Sequence, residues 1–179
     1  LESAAMVGAG KEARAGVEYE LSQQKPSGAF EVLSPQFYKE NGIVLWTCVR
    51  HAMLTQDKAW LESVWPKLEG AAGYIKQLRQ RSRENATPLD EGLNPPGEID
   101  GGLSGGGTGF KRPEFSNVHW NLLGLRAFIQ AAHWLGKEDS AALWQKQYED
   151  LYATFRKAAA RDMLKDSKGN SYVPAFMAN

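Results

Sequence analysis

The strongest constraint on this chain is an internally repeated helical hairpin. After Gly42, the apolar set Ile43, Val44, Leu45, Trp46, Val49, Met53 and Leu54 predicts a mostly buried helix. Thr55-Gln56-Asp57 stops it, and Asp57 is a suitable N-cap for the next helix. There, Trp60, Leu61, Val64, Trp65, Leu68, Ala71, Ala72, Ile75 and Leu78 hold a 3.6-residue period. Pro66 lies inside that run and is expected to kink or restart it. Arg79, Arg81 and Arg83 suit the negative end of the helix dipole. About 80 residues further on the pattern returns. Ser116 can cap a helix running through Val118, Leu122, Leu125, Ile129 and Ala132 to Leu135, with Gly136 as its left-handed stop. Lys137-Glu138-Asp139 then opens a helix carrying Leu143, Trp144, Tyr148, Leu151, Tyr152 and Phe155 on one face. Allowing a two-residue shift, Leu61, Trp65, Leu68 and Ala72 match Trp144, Tyr148, Leu151 and Phe155. The expected class is all-α, built from stacked αα-hairpins that bury one another's faces.

Flanking segments are less regular. Residues 2–23 carry Met6, Ala9, Ala13, Val17 and Leu21 at helical spacing, weakened by Gly8, Gly10 and Gly16, and read as the second helix of a preceding hairpin. Ser27 to Leu33 reads as a short strand, and Met163 to Phe176 as a β-hairpin around Lys168-Gly169-Asn170. Turns within hairpins are short, whereas the links into each first helix are long: residues 24–42, 84–116 and 164 onward. With antiparallel helices, all the long links fall on one rim. Long loops gathered on one rim of a rigid scaffold are where sites are commonly built.

Composition narrows the function classes. Lys plus Arg is 21 and Asp plus Glu is 21, a net charge of zero that leaves no electrostatic footprint for nucleic acid. No polybasic stretch and no long apolar run suggests a membrane, so neither partner is expected. The single cysteine, Cys48, excludes an internal disulfide and reads as a buried inert thiol. Three histidines without short metal spacing make no case for a metal site, and no cofactor is implied.

The second long link contains the segment 92–109, which holds eight of the eighteen glycines. Glu98, Asp100, Phe110 and Glu114 are unusual in a mere spacer, and no strand or Gly-Lys-Ser/Thr pattern marks a phosphate loop. The rim carboxylates are Glu40, Glu98, Asp100 and Glu114. Acid–base cleavage of a glycosidic bond needs one protonated and one ionised carboxyl group across the scissile bond, and any of these can serve as half of such a pair. Flat rings cover the apolar faces of sugars while polar neighbours take the hydroxyls. Tyr38, Trp46, Phe110, Phe115 and Trp120 lie on or near the rim, with His119 and Asn117 in the first turn after Ser116. Trp60, Trp65, Trp134 and Trp144 are expected to pack between repeats, and His51 and His133 to be hydrogen-bonded core or interface residues.

Several segments resemble the six-hairpin glycosidase superfamily. These are Tyr38-Lys39-Glu40-Asn41-Gly42 through Trp46, Leu54-Thr55-Gln56-Asp57 with Trp60-Leu61, and Trp65-Pro66 with Tyr74-Ile75. Asn117-Val118-His119-Trp120-Asn121 through Arg126, and Trp134-Leu135-Gly136-Lys137, continue the likeness. The flavour is that of glucoamylase-like, trehalase/glucosidase-like and α-L-rhamnosidase-like catalytic domains. The resemblance implies an (α/α)6 toroid whose long loops form a sugar cleft. It also implies that helices near 43–54 and 117–135 are inner and those near 58–83 and 138–162 outer. A loop acid between hairpins, here Glu98 or Asp100, would contact or protonate the sugar. Rhamnosidase-like members tend to carry Gly-Asp-Trp where this chain has Ile99-Asp100-Gly101.

Residues 1–179 therefore read as a single partial domain, about two and a half hairpins of a larger catalytic toroid. Its expected partners are a carbohydrate substrate and the remainder of the parent catalytic domain, which would carry the general base. The expected function is a glycoside hydrolase acting by carboxylate acid–base catalysis, with catalytic candidates Asp100 and Glu98. Candidate substrate contacts are Glu40, Tyr38, Trp46, Phe110, Glu114, Asn117, His119 and Trp120. Two other readings stand beside it: a non-catalytic helical interaction scaffold, and a toroidal polysaccharide lyase with a Tyr, His or Arg proton acceptor.

Overall fold

A computed structural model describes residues 2–85, 89–99 and 111–177. The described chain is all-α, with six helices and two small antiparallel sheets. The helices are α1 (Glu2–Met6), α2 (Gly10–Ser22), α3 (Glu40–Thr55), α4 (Lys58–Glu84), α5 (Phe115–Trp134) and α6 (Glu138–Asp162). The strands β1 (Gly97–Glu98) and β2 (Lys111–Arg112) pair in the second long link, and β3 (Leu164–Lys165) pairs with β4 (Ser171–Tyr172).

Both repeated hairpins form within a residue or three of their expected bounds, and their turns use the anticipated chemistry. Gln56 turns left-handed (φ 54°) after α3, and Asp57 Oδ1 accepts the Trp60 backbone N–H at 2.9 Å to cap α4. Gly136 adopts φ 72° after α5, a conformation that costs glycine little. The partners run antiparallel: Phe115 meets Phe155 edge to face at one end of α5, and Phe128 meets Trp144 toward the other. Between hairpins, Trp65 of α4 stacks on Phe128 of α5 with centroids 4.4 Å apart. Around this stack Leu45, Leu61, Leu68, Leu125 and Leu151 are fully buried. Trp60, Trp65 and Trp144 are buried in the core, Trp65 packing between the repeats as expected and Trp144 meeting Phe128 of its own hairpin; Trp134 is half-buried beneath the Lys58 ammonium.

Helices α3 and α5 lie side by side in the same direction, closest at their N-terminal ends. A Cβ at Gly42 would stand 2.1 Å from the Trp120 carbonyl oxygen, and one at Gly124 would stand 2.4 Å from the Gly42 oxygen. Backbone meets backbone there, which only glycine permits. Helix α2 packs antiparallel on α3, since Arg14 reaches His51 near the end of α3 while Val17 and Glu20 lie beside Ile43 and Val44 near its start.

Several expectations are corrected. The 2–23 helix is broken at Gly8, which takes φ 91° and separates α1 from α2. Residues 27–33 form no strand; side chains of α3, instead of a neighbouring strand, take the backbone N–H groups of Phe30, Val32 and Leu33. Pro66 does not restart α4, which is continuous over Lys58–Glu84. Proline removes one hydrogen bond there, and the burial of Leu61, Trp65 and Leu68 outweighs that loss. Ser116 is not the cap of α5, which begins at Phe115 without a side-chain cap. Arg79 is no surface dipole partner: it is 2 % exposed and binds the Gly92 and Gln147 carbonyls and Asp150. His133 is exposed and pairs with Glu138 at 2.8 Å, so it is a surface residue and not part of the core.

Candidate functional site

The links 23–39 and 85–114 deliver the chain into the first turns of α3 and α5, and they touch each other on that rim. The Glu98 backbone N–H donates to the Gln36 carbonyl at 3.1 Å, and Gly97 lies so close that a Cβ would fall 2.7 Å from both that oxygen and the Tyr38 ring. The segment after β4 joins them: Phe115 N–H donates to the Ala175 carbonyl, Met177 N–H to the Pro113 carbonyl, and Glu114 forms a β-bridge with Phe176. All three long links therefore converge on one rim, as the alternation of loop lengths requires.

Below this rim, polar side chains tie the loops to the helix ends. Asn41 Oδ1 accepts the Phe30 N–H at 3.0 Å, and its Nδ2 donates to the Gly28 and Ala71 carbonyls. Asn121 Nδ2 donates to the Tyr38 carbonyl at 3.1 Å, while its Oδ1 accepts the Gly42 N–H at 3.2 Å. Glu40 is buried, with Oε2 accepting from Val32 N–H at 2.8 Å and Oε1 from Leu33 N–H at 2.7 Å. Burial pushes its carboxyl above the usual range, against the lowering effect of those two N–H groups. Beside it a mostly apolar cavity of about 190 Å³ is lined by Val17, Val32, Ile43, Val44 and Cys48, with Glu20 at its wall. Cys48 is fully buried, and desolvation drives its thiol well above the ordinary range.

A second layer centres on Glu114. Its side chain is fully buried, and Lys39 Nζ lies 3.4 Å from Oε2. The same ammonium donates to Ser116 Oγ and covers the Phe37 ring at 4.7 Å. Asn117 Nδ2 donates both to Glu114 Oε2 at 3.2 Å and to the Glu98 carbonyl at 3.4 Å. Asn117 thereby links the buried ion pair to β1, and its Oδ1 is buried with no partner among the described residues. Glu98 itself is half-buried, and its Oε2 accepts a hydrogen bond from Ser34 Oγ.

The candidates named from sequence separate into three groups. Glu98, Glu114, Asn117, Glu40 and Tyr38 come together at the rim, but Glu40, Glu114, Asn117 and Tyr38 are buried and bonded to protein groups. Tyr38 lies under Gly97 with the Arg81 guanidinium 5.9 Å from its ring, and burial raises its phenol pKa. Trp46 and Trp120 form an edge-to-face pair, centroids 6.2 Å apart, half-buried on the outward face of α3 and α5 near Arg50 and Arg126. His119 is exposed and lines a groove with Leu122, Arg126, Tyr148 and Tyr152. Asp100 and Phe110 lie outside the described residues.

Sequence reasoning did not assign roles to Ser34, Gln36, Lys39, Asn41 and Asn121, and read Ser116 only as a helix cap. Asn41-Gly42 and Asn121 with Gly124 did carry a signal, because an amide within a turn of a glycine suits a close helix crossing that leaves loop carbonyls to be bonded. Nothing comparable marks Ser34. Among the described residues no three His, Cys, Asp or Glu side chains are grouped to hold a metal ion, and no helix is long and apolar enough to cross a membrane. Of the three described carboxylates named as candidates from sequence, Glu40, Glu98 and Glu114, Glu98 alone is not buried. Comparison with protein-family models and with curated proteins finds no match to this chain.

Proposed function

We propose that the chain is part of a glycoside hydrolase, contributing one side of a sugar cleft and one catalytic carboxylate. The observation that carries this reading is Glu98: a half-exposed carboxylate anchored through backbone and side chain where three long loops meet above paired helical hairpins. Cleavage of a glycosidic bond requires two carboxyl groups in opposite protonation states across the bond. Glu98 supplies one, Asp100 is the alternative in the same link, and the second group belongs to the remainder of the parent domain. The resemblance to six-hairpin glycosidases supports closure of these hairpins with others into an (α/α)6 toroid. In that arrangement Trp46, Trp120 and His119, on α3 and α5, face the interior and offer rings and a polar edge to a sugar.

The test is substitution in the full-length protein. Glu98→Gln is expected to lower cleavage of neutral glycosides by about a thousandfold, with unchanged helical circular dichroism. Asp100→Asn separates the two acids, since the carboxylate that acts is the one whose amide variant is inactive. Full activity in both variants would remove both residues from the chemistry.

A polysaccharide lyase is the second reading, favoured by the groove that brings His119, Tyr148 and Tyr152 around Arg126. Such groups can bind a uronate and take its proton. Uronate polymers in the same assay distinguish it.

A further inference from the structure

The contacts around β1 go beyond identifying a carboxylate, because they also explain what holds it. Residues 34–36 grip Glu98 at two points: Ser34 Oγ donates to Oε2, and the Gln36 carbonyl accepts the Glu98 N–H at 3.1 Å. Gln36 adopts φ 68°, a left-handed conformation that a non-glycine residue takes only at some cost in energy. On the other side, Asn117 Nδ2 donates to the Glu98 carbonyl at 3.4 Å. The peptide units flanking Glu98 are therefore held from the 34–36 loop and from the first turn of α5, and the hydroxyl of Ser34 fixes the side chain that remains. Among the described residues no hydrogen bond reaches Oε1, so the grip occupies one carboxylate oxygen and leaves the other open. Among the described residues, the charged groups around it include Lys111, opposite Glu98 in the β1–β2 register, and the Lys39–Glu114 pair reached through Asn117.

From this geometry we infer that Ser34 is a positioning residue for Glu98, an assignment that rests on the glycosidase reading. A carboxylate on a long, mobile side chain spends much of its time away from the reactive geometry. A hydrogen bond to its far oxygen restricts that motion and presents Oε1 to the reacting atom or water. The effect falls on the chemical step, because Ser34 need not touch substrate to exert it.

The experiment uses the full-length protein with 4-nitrophenyl glycosides, including α-glucoside and α-rhamnoside, and compares Ser34→Ala, Ser34→Thr and Glu98→Gln. Ser34→Ala is expected to lower kcat by about tenfold while KM stays within about twofold. Ser34→Thr, which keeps the hydroxyl, is expected to restore kcat, and Glu98→Gln to abolish turnover. If Glu98→Gln abolishes turnover but Ser34→Ala keeps full kcat, the positioning role is overturned and the glycosidase reading stands. A Ser34→Thr variant as impaired as Ser34→Ala, with both losing helical signal, also overturns it, because the loss is then one of folding. If Glu98→Gln is fully active, the inference fails while Asp100 remains the candidate acid of the glycosidase reading; if no glycoside is cleaved by the unsubstituted protein, both the reading and the inference fail.

Discussion

Single side chains in this molecule carry unequal burdens, and two of them make the point. Asn41 satisfies three backbone groups from two parts of the chain, Gly28 and Phe30 in the first link and Ala71 in α4, in a site closed to water. Asn41→Ala leaves those groups without that partner and is expected to cost about 3 kcal/mol in urea unfolding. Asn41→Asp is expected to be no better, since a carboxylate cannot donate to the Gly28 carbonyl. His51 works through its protonation state. Arg14 Nε donates to His51 Nε2 at 2.8 Å, so that nitrogen must keep its lone pair, and the ring packs edge to face on Trp60. Burial, and then the Arg14 charge, holds the imidazole below its ordinary value of 6.5, while Asp57 and Glu18 pull the other way. The unfolded chain then binds a proton at a pH where the folded chain does not. Stability from this site is complete above about pH 6.5 and declines as pH falls through that value toward the lower folded one. Asp57, held below 3.8 first by the Trp60 N–H and then by Arg14, stays ionised over the same range and does not confuse the reading. Urea midpoints followed from about pH 7.5 to about pH 5 should fall in the unsubstituted protein and flatten in His51→Gln.

The helices themselves were largely legible from sequence, and the reasons are physical. α3, α4, α5 and α6 each present apolar residues at a period that no strand shares, and Gln56-Asp57 and Gly136 end or cap them by local chemistry alone. The misread elements depend on contacts from far along the chain. Residues 27–33 look like a strand until Asn41 and Glu40 claim their N–H groups, and Ser116 looks like a cap until Lys39 occupies its hydroxyl. Pro66 would break an isolated helix but not one whose neighbouring turns are buried. The close crossing of α3 and α5 is similarly nonlocal, and two glycines make it possible. Gly42→Ala or Gly124→Ala drives a methyl into backbone and is expected to cost about 3 kcal/mol or more. Gly73 in α4 is the contrast, since a Cβ there meets nothing within 4 Å. Gly73→Ala is expected to stabilise by about 0.5–1 kcal/mol, measured in the same unfolding assay.

At the scale of the whole molecule, the alternation of short turns and long links sets where chemistry is possible. The sequence placed the long links on one rim, and the contacts of Glu98 with Gln36 and of Phe115 with Ala175 bring them together there. Which carboxylates stay open to solvent was not legible. Glu40, Glu98 and Glu114 look equivalent as letters, and only packing makes Glu40 and Glu114 internal struts and leaves Glu98 half-exposed. The proposed hydrolase thus rests on one rim and on Glu98 as its accessible candidate acid. It is tested most directly by incubating the full-length protein with neutral oligosaccharides and with uronate polymers, and following new reducing ends and unsaturated uronate absorbance together. Reducing ends from neutral sugars without unsaturated product, lost in Glu98→Gln or Asp100→Asn, is the expected result. Unsaturated product from uronate polymers, or no cleavage of either substrate, would contradict it.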